Sequence, residues 1–227
     1  MDQAEPFDRA LRRQRRDRAA AGFADAAFLR AHMVEELRFR LSAVSRRFTD
    51  VLDLGCADGA LGQGLPGARV VAADAGFAFA RAAGGVQCDE DRLPFADGSF
   101  DLVLSAGALH AVNDLPGALT LIRRVLRPDG LFLAAFVGGE TLARTRAAML
   151  AGEVAVRGAA GAHVAPMVDV RAAGDLLRRA GFALPVADSE RVTVRYDSLP
   201  ALAADLRAMG ETSILAARSR ASLRRDV

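Results

Sequence analysis

An apolar run that ends in an acid and breaks into a glycine turn, residues 51–59, constrains the fold more than any other stretch. It reads VLDLGCADG, in which the first four residues have the composition of a buried strand and Gly55 begins the turn. Glycine lets the backbone bend sharply and approach a ligand, because it tolerates positive φ and has no side chain. A second apolar run ends at Asp74, 21 positions after Asp53. This spacing predicts the first strand, loop and second strand of a Rossmann-like α/β domain, with Asp74 placed to accept hydrogen bonds from ribose hydroxyls.

The length and composition indicate one α/β domain with a packed core. The chain has 227 residues, of which 52% are hydrophobic. No stretch of about 18 uninterrupted apolar residues predicts a membrane span. The first residues, MDQAE, contain acids and lack the apolar core of a secretory signal, so we expect a cytoplasmic protein. Cys56 and Cys88 are too few and too far apart to predict a metal knuckle or a disulfide framework, and we expect both thiols to be reduced.

The charge of the chain is close to balance. The formal net charge is +2, and all 30 basic residues are arginine. This balance predicts no nucleic-acid partner. A local basic cluster lies near the N-terminus, formed by Arg12, Arg13, Arg15 and Arg16. We interpret that cluster as the solvated face of a helix.

The N-terminal part of the chain has a helical period. Residues 7–47 are rich in alanine and arginine, and their apolar residues recur at spacings near three and four. This pattern predicts amphipathic helices, which we expect Gly22 to divide into two. Residues 1–48 would thus form a helical segment packed on the core, and it either covers the sheet or roofs a ligand pocket.

Beyond residue 48, short apolar runs alternate with helical segments. Such alternation predicts a doubly wound, mostly parallel sheet with right-handed crossovers. The predicted strands are 51–54, 70–74, 85–89, 100–105, 131–137 and 192–196. The predicted helices are 61–65, 77–83, one capped by Asn113 and Asp114 that ends in a turn at 127–130, and three near 140–155, 170–180 and 199–209. The sheet domain would span 49–218, followed by a flexible tail at 219–227.

Four stretches, in this order, resemble class I S-adenosylmethionine-dependent methyltransferases of the type 11 group. They are DLGCADG at 53–59, the run that ends at Asp74, DEDRLPF at 89–95 and DGSFDLV at 97–103. The resemblance implies the Rossmann-like sheet of that family, with S-adenosylmethionine as the cofactor. A sulfonium cofactor carries no pyrophosphate, so the glycine loop would pass under its methionine and ribose portions without gripping phosphate.

The resemblance also implies a role for individual residues. The implied cofactor site consists of Asp53, Gly55, Ala57, Gly59, Asp74, Asp89, Glu90 and Ser105. Asp53 would orient the amino-acid end, Asp74 would accept from both ribose hydroxyls, and Asp89 would accept from the adenine amino group. The Glu90 backbone would meet the ring edge, and Ser105 would end a strand beside the methyl group. For each acid alone, a helix cap, a turn or a solvated charge is the alternative interpretation.

A closer resemblance is to a subfamily that includes the methyltransferase-like assembly factor of mitochondrial respiratory complex I and its bacterial relatives. Its marks are FDRAL at 7–11, LHAVNDLP at 109–116, GGETL at 138–142, RAGFALP at 179–185 and DLRAMGET at 205–212. That factor is regarded as a protein arginine hydroxylase, so the resemblance implies a protein acceptor such as a complex I subunit. The only histidines, His32, His110 and His163, fit no His-x-Asp/Glu iron pattern, and we predict no metal site.

Three functions remain open at this point. The first is methyl transfer to an unidentified acceptor by direct displacement, with His110 as the candidate acid or base, although a hydrogen-bonded structural role is the slightly favoured interpretation of this histidine. The second is arginine hydroxylation, and the third is a non-catalytic assembly or binding role. Ala57 and Ala111 favour the third function, because relatives usually carry glycine and an aromatic residue there. We also expect the sheet to lack the family's last antiparallel strand, which leaves an edge exposed or covered by the tail.

Overall fold

The computed structural model describes residues 5–158, 161 and 163–218, and its centre is a five-stranded sheet. The strands are β1 (Asp50–Leu54), β2 (Arg69–Asp74), β3 (Val86–Gln87), β4 (Phe100–Ala106) and β5 (Leu126–Ala135). The helices are α1 (Arg9–Ala20), α2 (Phe23–Ala26), α3 (Phe28–Ser42), α4 (Phe77–Ala82), α5 (Leu115–Val125), α6 (Ala143–Arg157), α7 (Val170–Arg179) and α8 (Leu199–Ala208). A 3-10 turn, Leu109–Ala111, follows β4.

The sheet has the order β3-β2-β1-β4-β5, and every neighbouring pair is parallel. In the central register Val51 of β1 lies beside Val70 of β2 and Leu102 of β4. All residues of β4 are buried, as expected of a parallel strand that helices cover on both faces. The fold is therefore the Rossmann-like α/β class that the alternating pattern predicts.

Alternate residues of β4 pack into two cores, one on each face of the sheet. Leu102 and Leu104 lie with Val34 and Leu37 of α3. Val103 points to the other face, where the buried stripe of α5, including Leu119 and Ile122, covers it. Full burial of each such side chain contributes about 1.5–3 kcal/mol to folding. These two core layers fix the position of the carboxyl edge of the sheet, where the predicted site residues lie.

The N-terminal segment packs on this core as three helices, and the expected two-helix division is wrong. The chain breaks near Gly22, as predicted, but breaks again at Ala27, so that a short α2 separates α1 from α3. Asp114, and not Asn113, caps α5, because its Oδ1 accepts from Gly117 N at 2.8 Å. The Asn113 side chain instead bonds both backbone groups of Phe7.

Three further local predictions are wrong. Residues 61–65 form turns and no helix, since Gly64 has a φ of +81° and Gly62 packs against Asp53 and Val70. The predicted turn at 127–130 is a bulge within β5, where the register shifts between Phe100 and Leu102. Residues 192–196 are largely exposed and join no strand.

Among the described residues, the sheet has no strand beyond β5. Nor does that part of the chain contain a helix long and apolar enough to cross a bilayer. The predicted tail at 219–227 lies outside the described residues.

Candidate functional site

The predicted site residues converge at the carboxyl edge of the sheet, where the loops after β1, β2, β3 and β4 meet. The strand order reverses between β1 and β4, and open parallel sheets bind ligands in the crevice at such a reversal. Asp53 and Asp74 lie at the ends of β1 and β2, and Ser105 lies near the end of β4. Asp89 and Glu90 follow β3, separated from it by Cys88.

The turn after β1 is held tightly against β2. The backbone N–H groups of Gly55 and Cys56 both donate to the carbonyl of Ala73, at 2.8 and 3.0 Å. Gly55 has a φ of +72°, and a Cβ at this position would collide with the Cβ of Ala108. Glycine is therefore required here for both its conformation and its size. Gly59 closes the turn by donating to the Cys56 carbonyl at 2.7 Å.

Ala57 is the strained residue of this loop. Its φ of +44° lies in the left-handed region, which costs a residue with a Cβ about 1–2 kcal/mol. The side chain is buried beside Phe23 and Phe79, and the N–H donates to Asp74 Oδ2 at 2.9 Å. The turn therefore forms with alanine at position 57, and the hydrogen bond from Ala57 N connects the turn to Asp74.

Arg30, a residue that sequence reasoning did not identify, supports the same loop from α3. Its guanidinium is buried and donates to Asp58 Oδ1 and to the Cys56 carbonyl, each at 2.6 Å. One arginine thereby satisfies a carbonyl and a carboxylate of the turn. No local sequence pattern links residues 30 and 58, because the contact depends on how α3 packs.

Asp74 is fully buried, and both of its oxygens are saturated. Oδ1 accepts from Arg16 Nε at 2.8 Å and from Gly76 N at 2.7 Å. Oδ2 accepts from Arg16 Nη2 at 2.6 Å and from Ala57 N at 2.9 Å. Burial by itself raises the pKa of this carboxyl, but Arg16 and the two backbone amides outweigh burial and hold the pKa below its ordinary value.

The other acids at this edge also pair with arginines of α1. Glu90 is buried and takes a bidentate pair from Arg12, at 2.6 and 2.8 Å. Asp89 Oδ2 accepts from Arg13 at 2.6 Å. Asp91 takes a bidentate pair from Arg9, at 2.6 and 2.7 Å. We call Asp74, Asp89, Glu90 and Asp91 the acid row, and Arg9, Arg12, Arg13 and Arg16 the arginine face.

This arrangement corrects one prediction. The basic cluster of α1 is not simply a solvated face, because Arg12 and Arg16 are only 6% and 5% exposed. The Glu90 side chain engages Arg12, and the role of the Glu90 backbone at a ring edge stays a prediction. Sequence reasoning could have found the arginine face from its spacing: positions 9, 12, 13 and 16 lie on one side of a helix.

The half of the site next to β1 and β4 has buried polar atoms without partners. Among the described residues, Asp53 Oδ1 and Ser105 Oγ make no hydrogen bond, and neither does Asp89 Oδ1 in the acid row. Asp53 Oδ2 accepts from Gly62 N at 3.0 Å. Burial raises the pKa of Asp53 to about 6. Buried polar atoms are normally paired, so these unpaired atoms are candidate contacts for a ligand or an ordered water.

His110 lies on the turn after β4 and pairs with a residue that sequence reasoning missed. Its Nε2 is 2.9 Å from Glu211 Oε2, while its Nδ1 is buried without a partner among the described residues. Burial by itself raises the pKa of Glu211, but His110, Arg16 and Arg12 outweigh it and lower the pKa. A carboxylate on Nε2 favours the tautomer that leaves the Nδ1 lone pair free to accept a proton.

Glu211 is positioned by the end of α8. Gly210, at a φ of +79°, donates to the Arg207 carbonyl, and Glu211 N donates to the Leu206 carbonyl at 2.8 Å. This pair of bonds is a Schellman cap, which sets the direction of the chain after the helix. His110 and Glu211 are 101 positions apart, so only the fold brings them together.

The remaining candidates lie near this edge without an evident chemical role. Cys56 and Cys88 are buried free thiols. Burial raises the pKa of both, that of Cys88 to about 12, so they stay protonated near neutrality. Ala111 packs into a small apolar cluster with Phe7 and Leu215. In the described part of the chain, no group of three or more metal-ligating side chains is arranged to hold a metal ion.

The arrangement of polar side chains at this edge fits S-adenosylmethionine. Asp74 and Asp89 lie at the ends of consecutive strands, an order that suits a ribose and an adenine amino group. Within the described residues, Asp89 Oδ1, and Asp53 Oδ1 and Ser105 Oγ in the neighbouring half, have no hydrogen-bond partner. Asp74 already has four donors, so it can take ribose hydroxyls only if Arg16 leaves it.

Comparison with known proteins matches residues 52–134 to the family described as Methyltransferase domain. The chain is 35% identical over 219 residues to the Danio rerio protein named arginine-hydroxylase NDUFAF5, mitochondrial, covering 91% of this chain and 68% of that protein. It is also 35% identical over 233 residues to the malonyl-[acyl-carrier protein] O-methyltransferase of Laribacter hongkongensis, covering 92% of this chain and 76% of that protein.

Among solved structures, an S-adenosylmethionine-dependent methyltransferase from Thermotoga maritima has the same fold. Its TM-score is 0.56 at 20% identity, and the match covers 75% of this chain and 81% of that one. At this identity the likeness concerns the fold alone. The sequence relatives and the solved structure agree on a class I methyltransferase architecture.

Proposed function

Since the chain belongs to the methyltransferase family, whose methyl donor is S-adenosylmethionine, we propose that it transfers a methyl group from this cofactor to an acceptor by direct displacement. One observation carries the proposal: carboxylates follow consecutive parallel strands at the crevice, beside buried polar atoms that have no protein partner. A purely structural cluster would satisfy its own buried groups. This edge satisfies only part of them.

The chain's own residues would bind and align the reactants. Asp74 would accept from both ribose hydroxyls, and Asp89 would accept from the adenine amino group through its unpaired Oδ1. Asp53 would orient the amino-acid end, directly or through water. The turn at 55–59 would support the cofactor from below. When bound, S-adenosylmethionine supplies a methyl group activated by a sulfonium centre, and the protein's contribution is then alignment and the exclusion of water.

His110 would accept the proton that the acceptor loses. Its Nδ1 is buried and has no partner in the described part of the chain, and Glu211 bonds its Nε2, so the imidazole has the arrangement of a general base with an orienting carboxylate. Glu211 is the positioning residue of this pair, because it acts through His110. An acceptor that loses a proton on methylation, such as a hydroxyl or an amine, would need this function, whereas a carboxylate acceptor would not.

The relatives suggest two classes of acceptor. The L. hongkongensis relative is named for O-methylation of a malonyl group on a carrier protein, which makes an acyl thioester with a free carboxylate one candidate. The zebrafish relative is named an arginine-hydroxylase, which makes an arginine side chain of a protein the other candidate. A complex I subunit as partner and a cytoplasmic location both remain predictions from the sequence.

Protein arginine hydroxylation is the second candidate function, because the zebrafish relative is 35% identical over most of the chain. It would use the same crevice, and it would also need molecular oxygen as the oxidant and an external two-electron reductant, with the second oxygen atom leaving as water. Hydroxylation adds one oxygen to the acceptor, whereas methylation adds one CH₂, so the mass of the product separates the two.

A binding measurement and a product measurement test the proposal together. Calorimetric titration with S-adenosylhomocysteine should give saturable binding that Asp89→Ala weakens, with Asp97→Ala, an exposed acid paired to Arg124, as the matched control. Incubation with the cofactor and either a malonyl carrier protein or an arginine-containing peptide should then add one CH₂. Absence of binding both to the parent chain and to Asn113→Ala, a variant that loses the two hydrogen bonds between Asn113 and Phe7 next to α1, would contradict the cofactor role. Binding followed by addition of oxygen would favour hydroxylation.

A further inference from the structure

The first helix, α1, places regularly spaced arginine side chains against the acid row. Arg9, Arg12, Arg13 and Arg16 follow the spacing i, i+3, i+4, i+7, which puts all four on one side of α1. Each forms an ion pair with a different acid of the row. Two of these pairs, Arg12 with Glu90 and Arg16 with Asp74, are buried and bidentate. Bidentate arginine pairs are strong and geometrically specific.

These pairs occupy the carboxylates that the cofactor needs. Arg16 takes one position on each oxygen of Asp74, and backbone amides take the others, so no acceptor capacity is left for a ribose diol. The Arg16 guanidinium also lies 5.1 Å above the ring of Phe79, and Gly76 packs within contact distance of the Arg16 stem. Arginine does not lose its charge at any physiological pH, so only movement can free Asp74.

Helix α1 is held in place by contacts away from the acid row. At its start, Asn113 accepts from Phe7 N at 2.7 Å and donates to Phe7 O at 3.1 Å. Near its end, Asp17 Oδ1 accepts from Ala78 N, at the beginning of α4, at 2.8 Å. These anchors do not involve the acid row or His110. They therefore offer a way to loosen the helix without altering the carboxylates.

We propose that α1 is an intramolecular lid whose arginine face competes with S-adenosylmethionine for the acid row. The cofactor binds only the conformation in which Arg12 and Arg16 have withdrawn from Glu90 and Asp74. This inference rests on the proposed cofactor role of the acid row. The closed form is the structure described above, and the open form is the binding-competent one.

The lid sets the apparent affinity for the cofactor. When only a fraction of molecules is competent to bind, the apparent dissociation constant rises in inverse proportion to that fraction. A substitution that weakens the closed form while leaving the acids intact increases that fraction and tightens binding. This direction distinguishes a lid from structural cover, because damage to a supporting helix weakens binding or leaves it unchanged.

The test compares S-adenosylhomocysteine affinity, by calorimetry, in the full chain and three variants. Asn113→Ala removes two anchoring hydrogen bonds and should tighten binding about tenfold, which corresponds to about 1.4 kcal/mol. Asp17→Ala removes one bond at the other end and should tighten binding about fivefold. Arg69→Gln is the matched control, since Arg69 is an exposed arginine paired with Asp50 outside the lid, and it should leave the affinity unchanged.

The outcomes separate the lid from the cofactor role. Tighter binding in both anchor variants, or binding by these variants and not by the parent chain, supports the lid. Equal or weaker binding in both anchor variants overturns it while leaving the cofactor role standing. If neither the parent chain nor any variant binds the probe, both proposals are overturned. Circular dichroism of each variant excludes loss of the fold as the cause of weaker binding.

Discussion

The two halves of the candidate site use their buried polar groups in opposite ways. At the ends of β2 and β3, arginines of α1 occupy the carboxylates, and Asp74 alone receives four hydrogen bonds. At the ends of β1 and β4, Asp53 Oδ1 and Ser105 Oγ are buried without a partner in the described chain. In the described chain the first half is mostly satisfied by the protein itself, with Asp89 Oδ1 as the unpaired carboxylate oxygen, and the second half is incomplete.

This difference separates stability from ligand binding. Removing one member of a buried ion pair leaves the other charge uncompensated and is costly, whereas removing an unpaired polar atom costs little. Substitutions in the acid row should therefore destabilise the fold as well as alter cofactor binding. Substitutions next to β1 and β4 should affect the ligand without harming the fold.

The largest effect should come from Asp74→Ala. The change leaves Arg16 buried without its counter-ion and two backbone N–H groups without an acceptor, so we expect a loss of about 3–5 kcal/mol in the free energy of unfolding. Urea denaturation measures it. Asp97→Ala, which removes an exposed carboxylate, is the control and should change stability by less than about 1 kcal/mol. A similarly small loss for Asp74→Ala would mean that the ion pair is not formed in solution.

Asp53→Asn should instead raise the free energy of unfolding, and the size of this gain should depend on pH. Burial raises the pKa of Asp53 from 3.8 to about 6, so the folded state binds this proton more readily than the unfolded state. The associated stability is complete below about pH 4 and is lost as the pH rises through about 6, by at most about 3 kcal/mol. Asparagine keeps the bond from Gly62 and cannot ionise.

The variant should accordingly be more stable than the parent chain at pH 7, and the difference should disappear near pH 4. Thermal unfolding across this pH range measures the effect. Asp97→Asn, at an exposed site, should show no such trend. A variant that is less stable than the parent chain at pH 7 would show that the Asp53 carboxylate has a stabilising partner.

Ala57→Gly should stabilise the loop modestly. Glycine relieves the left-handed strain at a φ of +44°, but it adds entropy to the unfolded chain, so we expect a net gain of about 0.5–1 kcal/mol. Ala60→Gly, in the same loop and without a positive φ, is the matched control and should destabilise by up to about 1 kcal/mol. Equal effects of the two substitutions in chemical denaturation would refute the strain at Ala57.

Ser105→Ala should have the smallest effect on stability. Its hydroxyl has no partner among the residues that the structure describes, so the free energy of unfolding should change by less than about 0.5 kcal/mol. Affinity for S-adenosylhomocysteine or turnover should nevertheless fall about fivefold, the equivalent of one neutral hydrogen bond. Ser99→Ala, which removes a hydroxyl that donates to the Ala96 carbonyl, should leave the affinity unchanged and lower the free energy of unfolding by at most about 1 kcal/mol. A substantial loss of stability in Ser105→Ala would indicate a structural role for the hydroxyl.

The sequence predicts well those elements that have a distinctive local pattern of apolar and polar residues. The strands at 51–54, 70–74 and 100–105 have apolar runs that end in turns or acids, and the structure confirms all three, with shifts of one residue at their ends. The order of their polar ends follows from the parallel topology. The bulge in β5 was not predictable, because an inserted turn sequence and a strand bulge share proline, aspartate and glycine.

The contacts that decide the state of the site could not be read from local patterns. The arginine face and the acid row each have a recognisable spacing, but their pairing depends on how α1 packs across more than 50 intervening residues. Glu211 reaches His110 only because a glycine cap redirects the chain after α8. Local signals thus predict which groups are present, and packing decides which of them remain free.

Hydrogen exchange of the α1 amides, with and without saturating S-adenosylhomocysteine, tests most directly whether the arginine face withdraws from the acid row when the ligand binds. Exchange in residues 9–20 should become about tenfold faster when the ligand binds, because the open helix loses its docking contacts, while exchange in α5 should not accelerate. Ligand binding that leaves α1 exchange unchanged or slower would contradict a lid that must withdraw.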